Sequence, residues 1–215
     1  MRLSDWCKSG YCVVFFAIAF SSPGALAQTT SPAETFVTSE IQTGLSLLQD
    51  KSLQGAARQA RMRDFFLSLL DTKRIALYAL GPAAKTAAPA DVVAYCDAFR
   101  EFMVASYTSR LNGYDGQTLK VIGSVQHAVD DYVVSAALVD PSDPPGTQEP
   151  EVDLRVVGEG GKFFVVDASI EGIWLGLAQH DDFQGFLAQH NGDVGALTAH
   201  LKDMTARLLA APAGN

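Results

Sequence analysis

Cysteine is almost missing from this chain: Cys7, Cys12 and Cys96 are the only three in 215 residues. Two of them lie in an N-terminal stretch that reads as removable, so Cys96 is left without a partner. An intramolecular disulfide is then excluded even in an oxidising compartment, and stability has to come from packing. Long apolar runs are also lacking. The longest, Tyr11 to Phe20, is half of the roughly 20 residues that a membrane-spanning helix needs. Positive charge is scarce: 16 Lys and Arg stand against 24 Asp and Glu, for a net charge of −8. Apart from Arg58, Arg61 and Arg63 there is no basic cluster, which argues against nucleic acid or an anionic lipid surface as partner. Enzyme signatures are absent too, with no G-x-S-x-G, CxxC, H-E-x-x-H or P-loop.

What is present begins with Arg2 and Lys8, a short apolar core, Ser21 to Gly24, and Ala25-Leu26-Ala27. A basic start, a short core and an A-x-A site are the marks of a cleaved secretory signal peptide over 1–27. No cysteine stands at the cut, so a lipid anchor is not indicated. The expected mature chain, 28–215, carries a net charge of −9 once Arg2, Lys8 and Asp5 leave. Its length suits one domain with a real core, or two small lobes.

The apolar period then divides the chain. Ser31, Pro32 and Glu34 form a capping box, and the helix they open carries Val37, Ile41, Gly44, Leu45 and Leu48 on one face. A second helix is expected from Ser52 to Leu70. Asp71 caps a third through Tyr78, stopped by Gly81-Pro82. After a small-residue linker, Ala83 to Ala88, Pro89 and Asp91 start a helix with Val92, Cys96, Phe99, Met103 and Tyr107 at helical spacing, ended by Gly113. The helical part thus covers 31–112.

The period next falls to 2, over Thr118 to Val125, Tyr132 to Val139, Val152 to Val157 and Lys162 to Ile170. Short turns join these strands, apart from the Pro-rich Asp140 to Gly146 link, and favour an antiparallel meander over 117–171. Helix returns from Asp181, breaks at Asn191-Gly192, restarts under an Asp193 cap and runs on, so that helices fill 181–210. The expected fold is α+β: a four-stranded antiparallel sheet packed against several helices.

Few residues offer chemistry. His180 beside Asp181 and Asp182 raises a metal or acid–base site, but helix capping by either aspartate accounts for the pattern better. Cys96 falls on an apolar helix face, where a thiol acts as a small hydrophobe. The pairs Asp130-Asp131 and Asp181-Asp182 are sequence neighbours that do not face each other. No metal or cofactor is expected. The remaining signal is the strand "FFVVDASI", apolar on both faces: Phe164, Val166, Ala168 and Ile170 point one way, Phe163 and Val165 the other with Asp167 and Ser169. Either all of this is core, or part of it lines a cavity for an apolar ligand. Periodicity fits both accounts.

The segment "FFVVDASIEGIWLGLAQHDDFQGFLAQHNGDVGALTAHL" resembles the C-terminal signature of the MlaC family of toluene-tolerance or auxiliary transport proteins. The pattern is an aromatic strand reaching an Asp, an I-E-G turn, an apolar run, a Phe-led helix, a glycine break and a final L-x-x-x-L helix. "LDTKRIALYALG" and "FREFMVASYTSRLNGYDGQTLKV" are similar to two further family segments, with Tyr107, Leu111 and Tyr114 slightly offset. Trp174 stands where the family usually has Ser, His180 where it has Arg, and Phe163 or Phe164 where it has Trp. These departures resemble the hopanoid-associated, HpnM-like branch. The resemblance implies a periplasmic carrier that holds acyl chains in an apolar cavity between sheet and helices. It would shuttle phospholipid between an outer-membrane lipoprotein complex and an inner-membrane MCE-domain ABC transporter, without catalysis.

On that reading the expected lining residues are Tyr78, Phe99, Met103, Tyr107, Val121, Leu154, Phe164, Val166, Ile173 and Trp174; each equally fits plain core, because wall and core share a composition. Competing readings are a hopanoid carrier, a periplasmic adaptor with a packed core and no lipid, and a hydrolase or isomerase using His180 or His127 in a pocket.

Overall fold

The computed structural model describes residues 30–111 and 114–210. The expected signal peptide and the Gly113 stop fall outside them. Five helices come first: α1 (Pro32–Gln49), α2 (Gly55–Leu69), α3 (Thr72–Leu80), α4 (Ala83–Thr86) and α5 (Pro89–Arg110). A meander follows, β1 (Thr118–Ala128), β2 (Asp131–Val139), β3 (Glu151–Glu159), β4 (Lys162–Ile170) and β5 (Ile173–Trp174), then α6 (Leu175–Gln189) and α7 (Val194–Ala210). The sheet order is β1-β2-β3-β4-β5, antiparallel throughout. The α+β class and the antiparallel meander are as expected. The strand number is not: β5 is a fifth, two residues long, folded back by the I-E-G turn. That turn and the β3–β4 turn are two-residue loops with both central residues at positive φ, Glu171 (51°) with Gly172 (80°) and Gly160 (60°) with Gly161 (79°). This is the geometry whose twist matches that of the strands it joins.

Local side-chain caps set three of the helix starts. The Ser31 hydroxyl accepts from the Glu34 amide at 3.1 Å, and the Asp71 carboxylate from the Arg74 amide at 3.0 Å. Asp193 caps α7 through the Ala196 amide. The capping box at Ser31 is only half made, because Glu34 accepts from Ser124 on β1 at 2.6 Å. A tertiary partner has taken the carboxylate that a box would turn back on its own helix. The expected linker at Ala83 contains the short helix α4.

One helix start differs widely. α6 begins at Leu175, six residues before Asp181, so Asp181 and Asp182 are exposed residues inside the helix rather than its caps. The cap comes from another element: Asp167 on β4 accepts from the Gly176 amide at 2.9 Å.

Two apolar cores result. One is helical, built by Ala76, Ala79 and Leu80 of α3, Tyr95, Phe99, Phe102 and Met103 of α5, and Phe183, Leu187, Val194, Leu197 and Leu201 of α6 and α7. Tyr95 is fully buried, where period reading favoured its neighbour Cys96, and its hydroxyl donates to the Ala76 carbonyl at 3.1 Å. The other core joins Ala33 and Val37 of α1 to Tyr132, Val134, Val156 and Val165 of the sheet. Leu70 packs against both, and it bridges to Val165 beside the edge of β4.

Candidate functional site

The sheet face turned to α1 is apolar across β2, β3, β4 and β5, with Ser124 and Gln126 its polar members on β1. Register places Val121, Ala136, Val152, Ile170 and Ile173 in one row across all five strands. The next row is Ser124, Val134, Leu154 and Ala168, and the third is Gln126, Tyr132, Val156 and Val165. α1 is pinned over β1 and β2 by the chain Ser31–Ser124–Glu34, with hydroxyl–hydroxyl and hydroxyl–carboxylate distances of 2.9 and 2.6 Å. Cover fails toward β5: Ile170 is 42% exposed and Ile173 65%.

This face depends on a bulge. Arg155 pairs with Asp167 but its neighbour Val156 pairs with Val165, so β4 carries one extra residue, Val166. Strict alternation places Ala168 and Ile170 with Phe164, opposite Val165. The bulge moves them to the face of Phe163 and Val165, since one inserted residue reverses the alternation beyond it. The polar residues of β4 are then used apart from the apolar face. Asp167 caps α6, and buried Ser169 donates to Asp153 at 3.0 Å, while Ser135 donates to the other oxygen of that carboxylate at 2.5 Å.

Between sheet and helices, at the Phe163 end of β4, lies an open groove of about 540 Å³. Phe36 of α1, Leu67 and Ser68 of α2, and Gly161, Lys162, Phe163 and Phe164 of the β3–β4 hairpin line it. The Phe36 and Phe163 rings meet at a tilt of 39°, their centres 5.9 Å apart. A second hollow, about 640 Å³, is polar: Gln148, Glu149, Pro150, Glu151, Asp153, Glu171 and Gly172 surround it.

The ten expected lining residues do not converge on one site. Val121 and Leu154 are half-buried on the α1-facing side of the sheet, and Phe164 lines the groove. Val166 is the bulge residue. Phe99 and Met103 belong to the helical core, Phe99 making edge-on contact with Phe183, and Tyr107 packs at that core's margin against Phe66. Tyr78 is 51% exposed beside His180. Ile173 is exposed, and half-buried Trp174 pairs with Ser169 in β5. Sequence reading missed Phe36, Leu67, Phe163 and Lys162 as groove residues. Phe36 and Leu67 sit beside, not on, the apolar stripes of their helices, and that displacement was the available signal.

The reactive side chains have structural partners. His180 contacts Asp181 at 3.1 Å, and Asp131 is held by Arg155 at 2.8 and 3.2 Å, which keeps its carboxyl below the usual range. Burial pushes the Cys96 thiol and the Tyr95 phenol up, so both stay protonated near neutrality. Among the described residues, no three His, Cys, Asp or Glu side chains are grouped to hold a metal.

Comparison with known proteins adds two findings. The profile of the MlaC protein family matches residues 39–203. Among solved structures, the fold is similar to that of a phospholipid-binding protein from Ralstonia solanacearum, determined in complex with a phospholipid. The TM-score is 0.66 and the identity 22%, over 82% of this chain and 96% of the other. No curated protein matches the chain.

Proposed function

This chain belongs to the MlaC family, and from that premise we propose that it is a periplasmic carrier of phospholipid. The observation that carries the reading is the groove between sheet and helices, apolar in Phe36, Leu67, Phe163 and Phe164. Its volume lies in the range of about 300–1,000 Å³ typical of small-ligand sites. The fold it shares with a phospholipid-bound protein supports the same cargo.

Energetics suit a carrier that does no chemistry. Each methylene withdrawn from water is worth about 0.8 kcal/mol, so a diacyl lipid crosses water only when sheltered. Inside an apolar groove the tails lose little relative to a bilayer, and transfer runs near balance until a partner drives it. We assign that drive to an inner-membrane MCE-domain ABC transporter, with an outer-membrane lipoprotein complex at the other end of the path.

The test is mass spectrometry of an organic extract of the purified protein after incubation with liposomes. Near-stoichiometric phospholipid is expected, and a hopanoid in its place would assign the chain to the hopanoid-associated branch. Leu67→Asp should cut bound lipid at least tenfold in a protein that still melts cooperatively, because Leu67 is half-buried and belongs to neither core. A wild-type extract without lipid would replace the carrier reading with that of an adaptor.

A further inference from the structure

We infer that Lys162 makes the groove selective for lipids whose headgroups carry net negative charge, its ammonium meeting the phosphodiester at the mouth while Phe36, Leu67, Phe163 and Phe164 meet the tails. The inference rests on the carrier reading and goes beyond it by naming the headgroup class and the residue that reads it.

Three observations carry it. First, among the described residues Lys162 is the one charged residue in the groove lining. Ser68, the only other polar side chain there, already donates its hydroxyl to the Phe65 carbonyl at 2.8 Å. Second, the ammonium is available. Across the Gly160-Gly161 turn, register sets Glu159 directly opposite Lys162, and opposite charges so placed ordinarily pair. Here Arg74 reaches over from α3 and takes the Glu159 carboxylate at 2.6 Å, while Asp71 holds the same guanidinium at 3.0 Å. Lys162 makes no ion pair among the described residues. Third, the chain's charge is −8, so its overall field repels anions and a lone cation at an apolar opening is a local exception. An unpaired ammonium beside four apolar side chains is complementary to an amphiphile with an anionic head.

An exposed ion pair supports a preference of roughly two- to fivefold, and salt should weaken it. The experiment loads delipidated protein from vesicles equimolar in phosphatidylglycerol and phosphatidylcholine with identical acyl chains. Mixed vesicles expose both lipids at one surface potential, so the bound ratio reports the site. Wild type should favour phosphatidylglycerol by two- to fivefold at low salt and less at 0.5 M. Lys162→Gln should bring the ratio to one, while Lys162→Arg retains the preference. Arg74→Gln should also lower it, by releasing Glu159 to pair with Lys162, although Arg74 lies outside the groove. Lipid bound at the same ratio by wild type and Lys162→Gln would overturn the inference and leave the carrier reading standing. Absence of both lipids from wild type would overturn the carrier reading, and the inference with it.

Discussion

Asp167 is the residue where an apparent fault in the sequence proves structural. A carboxylate in a largely apolar strand is costly to bury unless it is bonded. It accepts from the amides of Ala168 and Gly176, 2.8 and 2.9 Å away, and so caps α6, whose own Trp174 supplies no side-chain cap. Gly176 has to be glycine for this contact, since a Cβ there would lie 2.8 Å from the Asp167 carboxylate. Asp167→Ala should cost about 1–2 kcal/mol, the usual value of a lost cap, read by urea unfolding. Gly176→Ala should reproduce the loss by displacing the carboxylate. Asp131 gives a pH signature. Arg155 depresses its native pKa, so the unfolded chain binds that proton more readily. The pair's contribution is therefore complete above the unfolded carboxylate value of about 4 and fades as pH falls through the lower native value. Half of Arg155 is exposed, which limits the effect to about 1 kcal/mol or less. Melting curves from pH 6 to 2 should show Arg155→Met below wild type at pH 6 and converging with it in acid.

At the scale of elements, β4 is decided by one extra residue. With Val166 inserted, Phe163, Val165, Ala168 and Ile170 share the face opposite β3 residues Val156, Leu154 and Val152, while Asp167 stays free to reach α6. Deleting Val166 would restore strict alternation, turning Ala168 and Ile170 away from α1 and Asp167 away from the α6 amide. The deletion should prevent cooperative folding, whereas Val166→Ala, which keeps the register and trims a half-buried side chain, should cost about 1 kcal/mol. Circular dichroism with urea titration separates the two outcomes. The same logic explains α6: its start is set by a partner on a strand, so a search for local caps finds Asp181 and arrives six residues late.

For the whole molecule, the two cores and the one residue common to both among the described residues matter most. Leu70 is the C-cap just past α2, packs on the helical and the sheet clusters, and lies beside the edge of β4, where the Asp71 amide donates to the Val165 carbonyl at 3.1 Å. Leu70→Ala should destabilise by about 2 kcal/mol, the low end for such truncations because the side chain is only half-buried. It should also speed lipid release by loosening the α2 side of the groove, measured as transfer of a fluorescent phospholipid to acceptor vesicles. Unchanged release from a destabilised variant would separate Leu70's packing from the groove.

What the sequence determined by itself was everything governed by neighbours along the chain. The caps at Ser31, Asp71 and Asp193, the two-residue turns, the change of period from helix to strand and the family signature around I-E-G all depend on residues within a few positions of one another. The tertiary structure alone decided which apolar residues meet. Phe99, Met103 and Val121 have the same character in sequence, yet two enter the helical core and the third the sheet face, because contacts across layers leave no trace in local period. The bulge at Val166, the Asp167 cap, the half-made box at Glu34 and the free ammonium of Lys162 belong to the same class. Each is settled by a partner between 9 and 90 positions away, and a hydrogen bond or ion pair at that range is specified only once the fold has brought both groups together.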